Sequence, residues 1–286
     1  MDPAELKSAE RASWDAASPG WEAWQAEFES GAALATARLL ELAGVRTGQR
    51  VLDVATGQGE PALSAARVVG PTGRVVGIDL SPAMLAAARR RAGVLPNLEF
   101  LEADMEALPH PAGSFDVVLS RFGLMFAADR AGVLRSLARV LAPGGVLAAA
   151  VWGPPASHLL SLGPAALFER LGLSAPPPGS PGLFSMADPR QCARELSEAG
   201  FADVSVEEGV VPFRFASAAG YVRFNRDMLP PQILDLVKRR FGSEDSPDAW
   251  RVVSRAVEEH VGKDGGIFLP STALYLRASA VRIFPP

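Results

Sequence analysis

Val51-Leu52-Asp53-Val54-Ala55-Thr56-Gly57-Gln58-Gly59-Glu60-Pro61 is the stretch from which the fold can be read. Val51–Val54 has the length and apolar character of a buried strand. Two glycines one residue apart follow, and Pro61 suits the first position of a helix that the pattern predicts over Pro61–Val69, with Gly70 at its end. Glycines between a strand and a helix let the backbone approach a ligand closely and aim N–H groups at it. Asp79 closes a second apolar run, Val75–Ile78, at the place where an acid takes ribose hydroxyls. A strand, a glycine turn, a helix and a second strand ending in an acid together predict a nucleoside-containing ligand.

The alternation continues outward. Ser81 caps a helix with Pro82 at its first position and Gly93 past its end. Leu98–Leu101 and Phe115–Leu119 read as the third and fourth strands. Asp129 opens a helix carrying Val133, Leu134, Leu137, Val140 and Leu141 at three- and four-residue spacing; Pro143-Gly144-Gly145 is expected to stop it before a fifth strand, Val146–Trp152. Beyond Trp152 the reading is a helix over Ala156–Leu171, a loop over Ser174–Pro181 and a helix from Asp188 to near Gly200. A strand at Val204–Val211, helical segments at Ala218–Phe241 and Pro247–Val261, and a last strand at Phe268–Ala278 follow. Ala4–Ala43 is helical in composition and carries Trp14, Trp21 and Trp24. The expected fold is α/β: a doubly wound, Rossmann-like, mostly parallel seven-stranded sheet with an antiparallel last strand. An N-terminal helical lid (1–45) precedes the core (46–155), and residues 156–286 complete the same domain, with a helical substrate cap at about 217–262.

Composition excludes several classes. Hydrophobic residues at 48% and charged residues at 21% supply a core, so the chain is not disordered. The 27 glycines and 24 prolines follow no strict repeat, which excludes collagen and leaves them as loop punctuation. One cysteine, Cys192, excludes a disulfide framework and a cysteine-based metal site. A formal net charge of −4 argues against a nucleic-acid partner. The uncharged stretch between Arg139 and Glu169 is broken by Pro143, Gly144, Gly145, Gly153, Pro154 and Pro155, so no membrane span is expected. The acidic start Met1–Glu5 shows no signal-peptide pattern, and a cytoplasmic location is expected.

Charge discriminates between nucleosides. A dinucleotide brings a pyrophosphate to the helix N-terminus, where Asp53 and Glu60 are unwelcome, and the third glycine of the dinucleotide fingerprint is Ala62 here. A carboxylate at Asp53 complements a ligand bearing an ammonium group, which favours S-adenosyl-L-methionine (SAM) over a nicotinamide dinucleotide. At this point the sequence resembles the class I SAM-dependent methyltransferases. The resemblance runs through Asp53–Gly59, Asp79-Leu80-Ser81-Pro82-Ala83-Met84, Ala103-Asp104-Met105 with Leu108-Pro109, Ser114-Phe115-Asp116, Ser120-Arg121-Phe122-Gly123 and Arg139–Gly145, in order. It implies that backbone at Ala55, Thr56, Gly57, Gln58 and Gly59 cradles the methionine part, with Asp53 near its amino group. The resemblance further implies that Asp79 binds the ribose hydroxyls, that Leu80 and Met84 pack on the adenine, that Ala103-Asp104-Met105 meet its polar edge, and that Ser120, Arg121 and Phe122 border the methionine. Ordinary structural readings stand beside these: Leu80 and Met84 as core, Asp104 as a loop cap, Arg121 as a surface ion pair.

Methyl transfer needs alignment rather than a triad or metal, and none is expected. His110, His158 and His260 are the candidate bases, and His158, following the fifth strand, is the expected catalytic or acceptor-side residue. Trp21, Trp24, Tyr221 and Asn225 are the expected acceptor contacts. The basic runs Arg89-Arg90-Arg91 and Lys238-Arg239-Arg240 read as solvated faces. Within the family, Ser120–Phe126 is similar to the UbiE-like quinone C-methyltransferase branch (methyltransferase type 11), whose Arg-Asn pair after Gly-Leu is Met125-Phe126 here. The expected function is methyl transfer from SAM to a small, apolar or aromatic metabolite, on oxygen first and carbon or nitrogen close behind. A nicotinamide-dependent oxidoreductase and a SAM-binding module without turnover are the competing readings.

Overall fold

The computed structural model describes residues 3–281 apart from 175, 176, 178 and 179, so part of the loop read at Ser174–Pro181 lies outside the described residues. Helices α1 (Pro3–Ala23) and α2 (Gln25–Ala43) replace the single N-terminal helical stretch, with the break at Trp24. The alternating region follows as β1 (Arg50–Val54), α3 (Ala62–Val69), β2 (Arg74–Asp79), α4 (Pro82–Ala92), β3 (Leu98–Glu102), β4 (Phe115–Arg121), α5 (Arg130–Val140) and β5 (Leu141–Trp152). Then come α6 (Leu162–Leu171), α7 (Pro189–Glu198), β6 (Phe201–Phe215), α8 (Ala218–Met228), α9 (Pro231–Phe241), α10 (Pro247–Arg255) and β7 (Ile267–Ala280). The strands form one sheet in the order β3-β2-β1-β4-β5-β7-β6. Pairs among β1 to β5 are parallel and β7 runs antiparallel to β5, as the sequence predicts.

Local chemistry explains most boundaries. Ser81 accepts from the Met84 N–H at 3.1 Å to start α4, and Asp129 accepts from the Gly132 N–H at 2.9 Å to start α5. Three expectations change. Pro143-Gly144-Gly145 lies inside β5, because the chain leaves α5 at Val140 and is already extended at Leu141. The segment 218–241 is two helices, since Pro230-Pro231 removes two N–H donors and holds Leu229 extended (φ −74°, ψ 141°). Residues Pro155–Ser161 form two short 3₁₀ turns, so α6 starts late. Among the described residues no helix is long and apolar enough to cross a membrane.

The chain divides into two compact units. One holds the described residues of 33–154, 179–209 and 272–286; the other holds those of 1–32, 155–178 and 210–271. This differs from the expected segments, because α2, β6 and β7 each run through a boundary. The first unit contains the parallel core, where Val51, Leu52, Val54, Val75, Ile78, Val117, Leu119 and Ala148–Val151 are fully buried. In the second unit an aromatic cluster forms the centre. Trp21 meets Phe28 edge-on at 4.8 Å, Phe28 lies 5.4 Å from Phe213, and Phe224 touches both Trp24 and Phe215.

One contact in the core carries into the site. Gly77 of β2 pairs with Phe100 of β3, and the Phe100 ring fills the space beside it: a Cβ on Gly77 would lie 2.7 Å from that ring and 3.0 Å from the Thr56 hydroxyl. The same ring backs Gly59, 3.2 Å from where its Cβ would be. Gly77→Ala is expected to destabilise the protein by about 1–3 kcal/mol through overpacking, and Gly77→Ala/Phe100→Leu to recover part of that loss. Urea unfolding checks both, and an unchanged midpoint for the single variant contradicts the packing account.

Candidate active site

The C-terminal end of β1 is where buried charge meets unusual backbone. Asp53 is fully buried. Its Oδ2 accepts from the Thr56 hydroxyl at 2.5 Å and from the Ala62 N–H, the first of α3, at 3.0 Å. Its Oδ1 has no hydrogen-bond partner. Burial pushes the carboxyl up to about 7, against the pull of those two donors and of the Arg121 charge. The site thus holds a carboxyl poised to ionise near neutrality, with one oxygen unsatisfied.

The turn that follows is shaped by left-handed residues. Ala55 (φ 56°), Gly57 (φ 53°) and Gly59 (φ 101°) all adopt positive φ, and no atom lies within 4 Å of a Cβ built on Gly57. The Gly57 N–H donates to Asp79 Oδ2 at 2.8 Å, while the Ser81 N–H donates to Asp79 Oδ1 at 2.9 Å. Asp79 at the end of β2 is therefore held in place by two backbone donors, one of them from the turn. Beyond β3, Asp104 caps the short 3₁₀ turn Met105–Ala107 by accepting from the Glu106 N–H at 2.8 Å, so the loop-cap reading is realised. The Ala103 N–H donates to the Asp79 carbonyl at 3.0 Å, which brings this segment beside Asp79. Met84 is buried and Leu80 half-buried.

The end of β4 closes the other side. The Ser120 hydroxyl donates to the Val54 carbonyl at 2.9 Å, tying β4 to the start of the turn. Arg121 donates to the Thr36 hydroxyl of α2 at 2.9 Å. Phe122 has a left-handed backbone (φ 61°) and stacks on Trp152 with ring centroids 3.8 Å apart and an interplanar angle of 9°. Gly123 has no room for a side chain, since its Cβ would lie 2.4 Å from that of Ala55.

Phe100 and Thr36 act across space and carry no local signal as site residues, while Gly123 stands in the sequence only as the end of the Ser120–Gly123 motif. Arg91 is a correction: it donates to the Gln58 carbonyl at 2.5 Å and Arg89 donates to the Phe100 carbonyl at 2.7 Å, so this basic run braces the glycine turn and β3 in addition to facing solvent.

The expected acceptor residues fall in the other unit. Tyr221 is fully buried there, accepting from the Gly163 N–H at 2.9 Å and donating to the Leu160 carbonyl at 2.8 Å. Asn225 is buried and donates to the Tyr221 carbonyl, and Trp24 donates to Asp227 at 2.8 Å. These are framework bonds internal to that unit. His158 also lies there, 2% exposed, and burial lowers its pKa to about 4, which makes it a weak base. His110 packs edge-on against Phe115 at 5.0 Å, and His260 ends a short 3₁₀ turn.

The methyltransferase-domain family matches residues 51–145, the span from β1 into β5 that holds most of these groups. UbiE of Pseudomonas putida (strain F1), a ubiquinone/menaquinone biosynthesis C-methyltransferase, is 45% identical over 125 residues, which cover 43% of this chain and 49% of that protein. Residues 51–145 of this chain are similar to that methyltransferase domain. The chain spans about half the length of the curated relatives it matches. Phosphoethanolamine N-methyltransferase 2 of Haemonchus contortus, in complex with SAM, shares the fold at 19% identity and a TM-score of 0.56, covering 91% of this chain and 57% of that one. The [4+2]-cyclase SpnF shares it at 21% identity and a TM-score of 0.53, covering 87% and 81%. Likeness at these identities establishes the fold alone.

Within the matched span, Asp53 makes stability depend on pH. An ordinary carboxyl in the unfolded chain ionises near 3.8, while the folded one holds its proton to about 7. Between those values the unfolded chain has lost a proton that the folded chain keeps, so rising pH costs stability, at up to about 1.4 kcal/mol per pH unit. The difference in melting temperature between wild type and Asp53→Asn, measured by calorimetry without ligand, is expected to shift against wild type from pH 4 to 7 and then level off. A difference that is flat with pH contradicts this.

Proposed function

We propose that this chain binds SAM at the turn after β1 and transfers its methyl group to a small apolar or aromatic molecule. The observation that carries the reading is the unsatisfied oxygen of buried Asp53 beside an open glycine turn. A ligand ammonium would satisfy that oxygen, whereas a pyrophosphate would meet a carboxylate. Asp79 would take the ribose hydroxyls, its carboxylate already aimed by the Gly57 and Ser81 N–H groups. Backbone at Ala55–Gly59 would hold the methionine part, Leu80 and Met84 would pack on the adenine, and Ala103, Asp104 and the Met105 N–H would meet its polar edge. Ser120, Arg121 and Phe122 would border the methionine.

SAM when bound supplies an electrophilic methyl on a sulfonium. The chain's part is to fix that group and an acceptor at attack distance, an effect of up to ~7–11 kcal/mol in favourable cases. A cyclase shares the fold, so turnover is the discriminating measurement. The relatives act in ubiquinone and menaquinone biosynthesis as C-methyltransferases, which moves carbon ahead of oxygen and nitrogen among acceptor atoms. His158 remains proposed as an acceptor-side contact; its low basicity argues against a proton-accepting role.

Calorimetric titration with SAM, S-adenosylhomocysteine and NADH tests the ligand. Micromolar binding of the first two is expected, and preferential binding of NADH overturns the proposal. Asp79→Ala is expected to weaken SAM binding by about a hundredfold, the order of two charge-assisted hydrogen bonds. Release of S-adenosylhomocysteine with a panel of hydroquinones, phenols and amines tests turnover; binding without turnover on any of them supports a SAM-binding module instead. His158→Gln is expected to leave the rate within about threefold and its pH profile unmoved, whereas loss of the acidic limb of the profile identifies His158 as the base.

A further inference from the structure

Three of the five residues from Ala55 to Gly59 have left-handed backbone, Ala55 among them. Such backbone is unfavourable where a side chain is present, and it persists only where the surrounding structure fixes it. Within the turn, the Gly59 N–H closes on the Thr56 carbonyl at 2.9 Å, with Gly57 and Gln58 between them. One bond does not determine the shape of such a loop. Resting on the proposed SAM reading, we infer that Arg91, in the last turn of α4, is a positioning residue for this loop and thereby sets the affinity for the methionine part of the ligand.

A peptide group is planar, so fixing both its N–H and its carbonyl fixes its orientation. Two peptide groups of the loop are held in this way. The group joining Thr56 to Gly57 gives its N–H to Asp79 Oδ2 at 2.8 Å, and its carbonyl receives the Gly59 N–H. The group joining Gln58 to Gly59 gives that same N–H to Thr56, and its carbonyl receives Arg91 Nη1 at 2.5 Å. The peptide between them takes its direction from its two fixed neighbours. Asp79 thus anchors one side of the loop and Arg91 the other. A guanidinium on a carbonyl makes a charge-assisted bond, and it polarises the peptide so that the N–H at the opposite end donates more strongly. Arg91 is half-buried, and Arg89 of the same helix end donates to the Phe100 carbonyl at 2.7 Å, behind whose ring Gly59 sits. The end of α4 therefore supports the loop directly and through the residue that backs it. Ribose and adenine are assigned to other residues, Asp79, Leu80, Met84 and Asp104, so the inference separates the two halves of the ligand.

The test compares S-adenosylhomocysteine with 5′-methylthioadenosine, which keeps the adenosine and an uncharged sulfur and lacks the amino-acid part. Arg91→Met removes the donor and keeps an apolar stem. It is expected to weaken S-adenosylhomocysteine by about tenfold in titration calorimetry, the scale of one charge-assisted hydrogen bond, and 5′-methylthioadenosine by less than about twofold in ligand-detected NMR. Amide hydrogen exchange reads the brace without ligand: the Gly59 N–H is expected to exchange about tenfold faster in Arg91→Met, with the amides of β1 and β2 unchanged. Arg91→Lys, which keeps a cation and offers a single point of contact, is expected to fall between wild type and Arg91→Met, and it keeps the test open if Arg91→Met does not fold. Equal weakening of the two ligands, or unchanged S-adenosylhomocysteine affinity in a folded variant, overturns the assignment while leaving cofactor binding by wild type intact. Unchanged Gly59 exchange overturns it as well, and decides alone if 5′-methylthioadenosine binds too weakly to measure. Failure of wild type to bind S-adenosylhomocysteine overturns the assignment together with the function it rests on.

Discussion

A single carboxylate withheld from water organises the functional end of this sheet. Asp53 is buried among apolar strand residues and holds the Thr56 hydroxyl and the first N–H of α3, so the glycine turn and the helix behind it are anchored to one side chain. Burying a carboxylate with one oxygen unpaired is unfavourable by a few kcal/mol at least. The protein answers in part by holding the proton to about pH 7. A cationic ligand group would answer it in full, since the same desolvation that penalises a lone charge strengthens a paired one. Binding energy for such a group would derive from a deficit built into the fold.

The location follows from topology. In the order β3-β2-β1-β4-β5, the chain's winding reverses between β1 and β4, and ligands of open α/β sheets gather at the carboxyl ends of the strands at such a reversal. Every group placed around the turn comes from one of these ends: Asp53 from β1, Asp79 from β2, Ala103 and Asp104 after β3, Ser120 and Arg121 from β4. Backbone hydrogen bonds lock the ends together, Thr56 N–H to the Ile78 carbonyl at 2.9 Å and Phe122 N–H to the Ala150 carbonyl at 2.7 Å. The loops are accordingly positioned by the most buried part of the molecule.

What the sequence made legible were features whose physics is local. A glycine turn after an apolar run, an acid ending the next strand, Ser81 and Asp129 as caps, and five strands with helices between them all depend on neighbours within a few residues. What it concealed depends on contacts between distant segments. Phe100 reads as an ordinary strand residue until its ring is found against Gly77 and Gly59. Gly123 reads as the end of the Ser120–Gly123 motif, and the reason no side chain fits there, Ala55 in that space, is not visible in the sequence. Arg91 sits in a run that looks solvated, and its bond to the Gln58 carbonyl exists because α4 returns beside the turn. Pro230-Pro231 is the exception, a local signal that divides α8 from α9 and that composition alone does not weigh heavily enough.

Acceptor recognition is the part that a sequence encodes least directly, and the aromatic residues show why. Tryptophan, tyrosine and phenylalanine at helical spacing signal a core as strongly as they signal a ligand contact, because both exploit the same apolar area and the same polar tip. Tyr221 and Asn225 combine an aromatic or amide group with burial, yet their polar atoms are bonded within their own unit, to Gly163, Leu160 and the Tyr221 backbone. A side chain whose hydrogen bonds hold helices together cannot offer them to a substrate without loosening those helices. Cofactor recognition, by contrast, relies on backbone and on charges at strand ends, which a strand-turn-helix pattern fixes in advance. That asymmetry makes the cofactor readable from a motif and leaves the acceptor to the shape and chemistry of variable segments.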